Sequence, residues 1–184
     1  LTLPDGNTRE VPAGTLARDV VRSIGERLLS ASVAVALDGE VLDLMTPLRT
    51  SGAFVVITDK DPRSLAVLRH SGAHILATAV RRLFPDAHIG FGPAIDDGFY
   101  YDFDVARPFT PEDLAAIEKE MRKVVAEKYP FEREEVTLEQ ARERFAGDPL
   151  KLERLDDFEG GDEVISVYTD GPFVDLCRGP HVRD

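Results

Sequence analysis

Five residues, Asp59-Lys60-Asp61-Pro62-Arg63, separate two segments of different periodicity. Proline lacks an N–H and holds the residue before it extended, so neither a strand nor a helix passes through such a stretch unbroken. Upstream, short apolar runs alternate with turn signals. Downstream, an apolar pattern of helical period begins at once. The break is read as a boundary between a domain at 1–61 and a larger one at 62–184, and a chain of 184 residues suffices for two small domains.

In the first segment, Leu1-Thr2-Leu3 and Thr8-Arg9-Glu10-Val11 flank Asp5-Gly6 and predict a hairpin. Thr15 is expected to cap a short helix with Leu16, Val20 and Ile24 at helical spacing. Residues 33–37, 41–44 and 53–57 read as strands, with Asp38-Gly39 as a second turn. The order ββαβββ implies a small mixed sheet on one helix. In the second segment, Ser64 is expected to cap a long helix that Pro85 stops. Residues 98–103 read as an aromatic strand. Thr110-Pro111-Glu112-Asp113 starts a helix with the stripe Leu114, Ile117, Met121 and Val124, ending near Tyr129-Pro130. Residues 131–136 read as a strand, and Thr137 with Gln140 as a capping box for a short helix. Residues 164–168 and 173–176 read as a hairpin, and Asp156, Asp157, Glu159, Asp162 and Glu163 as a solvated loop. The fold class is α+β, with the larger domain a long helix packed on an antiparallel sheet.

The net charge is −12. A protein that grips nucleic acid by its phosphates is normally basic, so general nucleic-acid affinity is disfavoured. A site that receives only one end of a nucleic acid held elsewhere stays open. No apolar run has the length of a membrane span, and no signal-peptide pattern opens the chain. A single cysteine excludes an internal disulfide and fits a reducing cytoplasm.

Two of the four histidines, His70 and His74, are four residues apart on the long helix and share a face. Leu65, Leu68, Ile75, Ala79 and Leu83 fall on the other side and are read as the core stripe. That leaves the imidazoles over small residues, Ala66, Ala73 and Ala77, as the floor of a cleft. The only cysteine, Cys177, stands four residues before His181, with Gly179 and Pro180 forcing a tight path between them. His88 is read as a surface residue. Three chemistries use such a set: a tetrahedral zinc site, a Cys177 nucleophile with a histidine base, or a hydrolytic site in which imidazoles orient a water. The plain alternative makes His70 and His74 exposed helix residues and Cys177 a core thiol.

The strings His70-Ser-Gly-Ala-His74, Gly92-Pro-Ala-Ile-Asp-Asp-Gly-Phe-Tyr-Tyr-Asp102 and Asp175-Leu-Cys-Arg-Gly-Pro-His181 closely resemble the editing domain of bacterial threonyl-tRNA synthetase. The first sixty residues, from Leu-Thr-Leu-Pro-Asp-Gly onward, resemble the β-grasp TGS domain that opens that synthetase. Related HxxxH and CxxxH pairs occur in alanyl-tRNA synthetase and its free-standing editing relatives, where they hold zinc.

The resemblance implies hydrolysis of serine wrongly esterified to threonine tRNA. A pocket gains only roughly 1–3 kcal/mol from threonine's extra methyl, too little to exclude serine at the first step. It implies His70, His74, Lys151, Cys177 and His181 as catalytic residues, with His70 and Lys151 activating water. Asp175, suited to the serine ammonium, and Tyr101 and Tyr168 line the site. Read from the sequence alone, Lys151 is equally well a solvated residue of a charged helix–loop region. No catalytic metal is expected, and zinc at His70, His74, Cys177 and His181 is disfavoured. ATP, magnesium and a separate zinc belong to the synthetase core, which this sequence does not contain along with the anticodon-binding domain. The implied partner is the acceptor end of threonine tRNA carrying serine, in the cytoplasm, with the complete enzyme a homodimer through its core. A zinc-dependent alanyl-type hydrolase and a non-catalytic tRNA or regulatory module are the rival readings.

Overall fold

A computed structural model of the chain describes residues 1–161 and 164–184. Asp162 and Glu163, part of the expected acidic loop, lie outside the described residues. The chain forms two compact units: Leu1–Leu68 with Gly179–Arg183, and Arg69–Arg178 with Asp184.

The first unit contains β1 (Thr15–Leu16), α1 (Ala17–Ile24), α2 (Glu26–Ala31), β2 (Ser32–Leu37), β3 (Glu40–Leu42), β4 (Pro47–Leu48) and β5 (Phe54–Thr58). Its antiparallel sheet has the order β3-β2-β5, and β1 pairs with β4. The expected N-terminal hairpin is reduced to single bridges, Thr2 to Thr8 antiparallel and Thr2 to Ala53 parallel. Asp38 and Gly39 both take positive φ, the form a two-residue turn between antiparallel strands requires. Thr15 does not cap α1. It lies in β1, and its hydroxyl donates to the Pro12 carbonyl. The first N–H groups of the helix donate instead to the carbonyls of Thr46 and Leu44, so a loop satisfies what a side chain was expected to satisfy. Alternation along β2 sends Val35 and Leu37 to a core with Val20, Val21 and Phe54, and Ala34 and Ala36 to a second one with Ile57 and Val67. Val182, from the segment Gly179–Arg183, packs on that second face.

The division between units falls within α3 (Ser64–Leu83). Ser64 is the first residue of this helix rather than the cap before it. There follow β6 (His88–Ile89), β7 (Ala94–Ile95), β8 (Gly98–Phe99), β9 (Phe103–Asp104), α4 (Pro111–Glu127), β10 (Phe131–Val136), α5 (Leu138–Arg144), α6 (Pro149–Asp156), β11 (Ile165–Asp170) and β12 (Phe173–Leu176). The aromatic strand is interrupted. Gly98-Phe99 pairs with Ala94-Ile95 and Phe103-Asp104 with His88-Ile89, leaving Tyr100-Tyr101-Asp102 unladdered between them. Reciprocal capping boxes open α4 at Thr110 and Asp113 and α5 at Thr137 and Gln140. Leu114 is exposed, however, and does not join the α4 stripe. The helix α6 was not expected. Asp148 caps it by accepting from the Lys151 N–H, and Pro149 starts it.

The main sheet is the antiparallel meander β10-β11-β12. Its register places Phe131, Tyr168, Asp170, Phe173 and Asp175 on one face and Val167, Val174 and Leu176 on the other. Phe145 of the α5 C-cap and Leu155 of α6 cover the second face together with Val167 and Leu176. On the first lies α3, with the His74 ring centroid 5.8 Å from that of Phe173 and 6.1 Å from that of Phe131.

Of the expected core stripe of α3, Ala79 is buried in the core but the three leucines are not. Leu65, Leu68 and Leu83 are 48%, 46% and 38% exposed, whereas Ala73, His74, Ala77 and Thr78 are buried. Ala66 is also exposed and is no part of the buried floor. The sheet supplies the large side chains, so the helix face that meets it must be small for the two to interdigitate at interior density. We expect Ala77→Leu to overpack this contact and lower stability by about 1–3 kcal/mol in urea unfolding. Leu83→Ala should change it by no more than about 0.5 kcal/mol, and the reverse ranking would reinstate the leucine stripe.

Candidate functional site

The second unit brings residues from four separate stretches to one cleft of about 450 Å³. His70 and His74, one turn apart on α3, stand edge to face with ring centroids 5.5 Å apart. The His70 Nε2 lies 3.3 Å from the Cys177 Sγ. Cys177 is held to β11 by two bonds: its N–H donates to the Ser166 carbonyl at 3.1 Å, and the Ser166 hydroxyl donates to its carbonyl at 2.6 Å. The β11–β12 pairing thus extends one residue beyond β12 and fixes the thiol opposite the imidazole.

Behind this pair sits a buried charged cluster. The Lys151 Nζ is 2.5 Å from Asp175 Oδ1, donates to the Gly90 carbonyl at 2.7 Å and stands 4.3 Å over the Phe91 ring centroid. The Tyr101 hydroxyl donates to Asp175 Oδ2 at 2.5 Å, and the Leu176 N–H donates to Oδ1 at 2.7 Å. Lys151 and Asp175 are both 2% exposed, so the solvated alternative for Lys151 is overturned. Removing two such ions from water costs several kcal/mol each. The cost is met only when the charges pair and their remaining donors and acceptors are occupied, as they are here.

Burial is the main force on the titration of the neighbours. It holds the His74 imidazole well below its ordinary range, helped by the charges of His70 and Lys151, so His74 is neutral at pH 7. Burial, and then the charge of Asp175, pushes the Tyr101 phenol far above its ordinary range, so Tyr101 acts as a donor and not as a phenolate. Burial also raises Asp170 to about 7.

Of the expected site residues, His70, His74, Tyr101, Asp175 and Cys177 line the cleft. Lys151 stands behind its wall. Tyr168, 1% exposed, is paired across the ladder with Asp175 and supports it from β11. His181 is buried within Gly179–Arg183, the segment that belongs to the first unit. His88 is exposed. Sequence reasoning missed Phe91, Arg154, Phe158, Ser166 and Arg178, which also line the cleft. Gly90 and Gly92 give the local signal for this wall: a Cβ on Gly90 would lie 2.8 Å from the Asp102 carbonyl oxygen, and one on Gly92 would lie 2.6 Å from the Tyr100 carbonyl oxygen and collide with the Tyr101 ring.

Residues 1–57 match the family model of the TGS domain. The first unit is therefore a TGS domain, a small α+β module, here followed by a helix-on-sheet unit whose cleft is lined by two histidines, a cysteine and aromatic side chains. Over its whole length the chain is a sequence relative of the N-terminal region of bacterial threonine–tRNA ligases. It is 46% identical over 184 residues to the threonine–tRNA ligase of Citrifermentans bemidjiense, covering 99% of this chain and 29% of that protein. It is 46% identical over 184 residues to threonine–tRNA ligase 1 of Bacillus subtilis and 44% identical over 183 residues to the ligase of Streptococcus thermophilus. Each of these matches covers 99% of this chain and 28% of the relative. The chain thus spans under a third of the length of the relatives it matches. No helix among the described residues is long and apolar enough to cross a membrane.

The buried pair generates one prediction. Asp175→Ala leaves the Lys151 ammonium unpaired and should cost about 3–5 kcal/mol in urea unfolding. The double variant with Lys151→Met should be less destabilised than the sum of the two single changes; simple additivity would mean the pair carries no coupling. A second prediction comes from His74. Its folded-state pKa is depressed, so its contribution to stability is present above about pH 6.5 and is lost as pH falls, when the unfolded chain takes up the proton first. The loss of stability between pH 7.5 and 5.5 should be smaller in His74→Gln than in the parent, and an equal loss would contradict a neutral buried imidazole.

Proposed function

We propose that the second unit hydrolyses the ester that joins serine to the end of threonine tRNA. The observation that carries this reading is the meeting of His70 and Cys177 at 3.3 Å on a cleft backed by the Lys151–Asp175–Tyr101 cluster. The relationship to threonine–tRNA ligases supplies the substrate class. In the proposed reaction a water attacks the ester carbonyl while the His70 imidazole takes its proton. The C–O bond to the ribose then breaks, and the proton passes to the ribose oxygen. Lys151, paired with Asp175, sets the local charge. Asp175, at the wall of the cleft, is proposed to attract the serine ammonium, with Tyr101 lining the site and Tyr168 holding Asp175 in register. His74 supports His70, while Cys177 shapes the pocket. Threonine's methyl is crowded where serine has none, so its ester is spared. The complete enzyme, acting in the cytoplasm, is proposed to dimerise through its core and to hold the tRNA body there. That division of labour suits a chain whose own net charge is −12.

His70, His74 and Cys177 have donor atoms within 4.8 Å of one another, a set whose chemistry zinc accepts. An ion there would supply a Lewis acid. We propose the reaction without one.

Deacylation of seryl- and threonyl-esterified threonine tRNA tests this. The chain should release serine faster than threonine. His70→Ala should lower the rate by about 100-fold or more, Lys151→Ala should abolish it, and a chelator should leave it unchanged. Binding of tRNA without serine release would instead support a binding module, and stoichiometric zinc with chelator-sensitive activity an alanyl-type hydrolase.

A further inference from the structure

Beneath His74, on the α3-facing side of the sheet, three oxygens form a row. The Thr78 Oγ1 lies 2.9 Å from the His74 carbonyl oxygen and 3.0 Å from Asp170 Oδ2. A hydroxyl has one proton to give, and a backbone carbonyl can only accept. Were Asp170 a carboxylate, Thr78 would face two acceptors with one hydrogen, and one of these close O···O approaches would be repulsive. Were Asp170 a carboxylic acid, every contact would carry a hydrogen: Asp170 Oδ2–H donates to Thr78, and Thr78 donates to the His74 carbonyl.

The surroundings of Asp170 agree. The residue is 2% exposed, and its Oδ1 has no hydrogen-bond partner among the described residues. An ionised carboxylate offers about four lone-pair sites and would leave most of them empty here, at the full desolvation cost of a charge. Phe131 of β10 and Phe173 of β12 stand opposite it in the sheet and offer no donor. Asp175, the acid nearest to it in effect, opposes a second negative charge. The Thr78 hydroxyl, Asp170's own backbone N–H and, last, Arg82 of α3 favour ionisation, but burial outweighs them and the Arg82 guanidinium is engaged by Glu120 and Glu127 of α4. His74 and Tyr101 are neutral, and Lys151, the buried cation of this region, is held by Asp175 and the Gly90 carbonyl.

We infer that Asp170 is a protonated carboxylic acid and that, through Thr78, it positions the turn of α3 that carries His74 and sets it against His70. It is a positioning residue, since it does not line the cleft. Burial raises its pKa to about 7. The row is therefore intact below neutrality, and as pH rises through that value Thr78 turns its proton from the His74 carbonyl to the new carboxylate. Only the kinetic readout of this inference rests on the hydrolytic function proposed above.

Two measurements test it on the whole chain. In protein carrying ¹³C-labelled aspartate, the Asp170 side-chain carbon, assigned by its loss in Asp170→Asn, should report a neutral acid at pH 6 and titrate near 7. A carboxylate signal at pH 6 overturns the inference whether or not the chain deacylates anything. For the rate, Asn presents an N–H to Thr78 that cannot be titrated away, so Asp170→Asn should stay within about threefold of the parent at pH 6.5. It should also lose the parent's decline above pH 7. Asp170→Leu, with no donor, should lose activity at both values. A folded Asp170→Asn chain with the parent's pH profile overturns the positioning role. If the parent shows no deacylation, the proposed function fails and the carbon titration still decides the state of Asp170.

Discussion

The contact between Lys151 and Asp175 ties together stretches of chain that have little else to order them. Residues 90–102 contain only two-residue strands, and yet they form a wall of the cleft. They are held because the Lys151 ammonium takes the Gly90 carbonyl, stands over Phe91 and meets the carboxylate that the Tyr101 hydroxyl also meets. One carboxylate on the edge strand of the sheet thus fastens a helix, a loop and an aromatic segment. Such a knot in an apolar interior depends on completeness. Each partner is tolerable only while the others are present, which gives the site a single arrangement rather than a family of loose ones.

Why a carboxylate can be buried there follows from the sheet. The meander is covered on both faces, by α3 on one and by α5 and α6 on the other. Alternation along β12 therefore has no wet side: Phe173 and Asp175 meet one cover, Val174 and Leu176 the other. An acid in such a strand must find partners in the protein, and α6 brings its lysine to it. The same covering explains the neutrality of His74, which packs between the rings of Phe131 and Phe173 where a second cation would stand close to Lys151.

The parts of this structure legible in the sequence are those set by local chemistry. The capping boxes at Thr110 and Thr137, the strand Phe131–Val136 and the turn at Asp38-Gly39 each follow from a few adjacent residues. The pairing of His70 with Cys177 rested on resemblance and on motif spacing, and in the second unit the two side chains do meet. What was illegible depends on distant partners. Thr15 looked like a cap until the carbonyls of Leu44 and Thr46 took that role. Leu65, Leu68 and Leu83 looked like a core stripe because bulk was taken as the mark of burial. On α3 the buried face is small because the sheet opposite is large. Without the resemblance, Lys151 reads equally well as solvated because its segment is charged, and nothing local shows that Asp175 waits for it. The unladdered Tyr100-Tyr101-Asp102 is of the same kind, since its place is set by Gly92 and Asp175 and not by its own strand propensity.

Asp170 and Asp175 carry the same side chain on the same face of the same hairpin, and the fold gives them opposite company. Asp175 meets an ammonium, a phenol and a backbone N–H. Asp170 meets one hydroxyl that has another oxygen to serve. Neighbouring acids in unlike surroundings divide labour, the one carrying charge and the other a proton. Here the first stands at the wall of the cleft and the second beneath the histidine turn. The polarity of the site thus comes from pairing one acid, while the geometry of its helix depends on leaving the other almost alone.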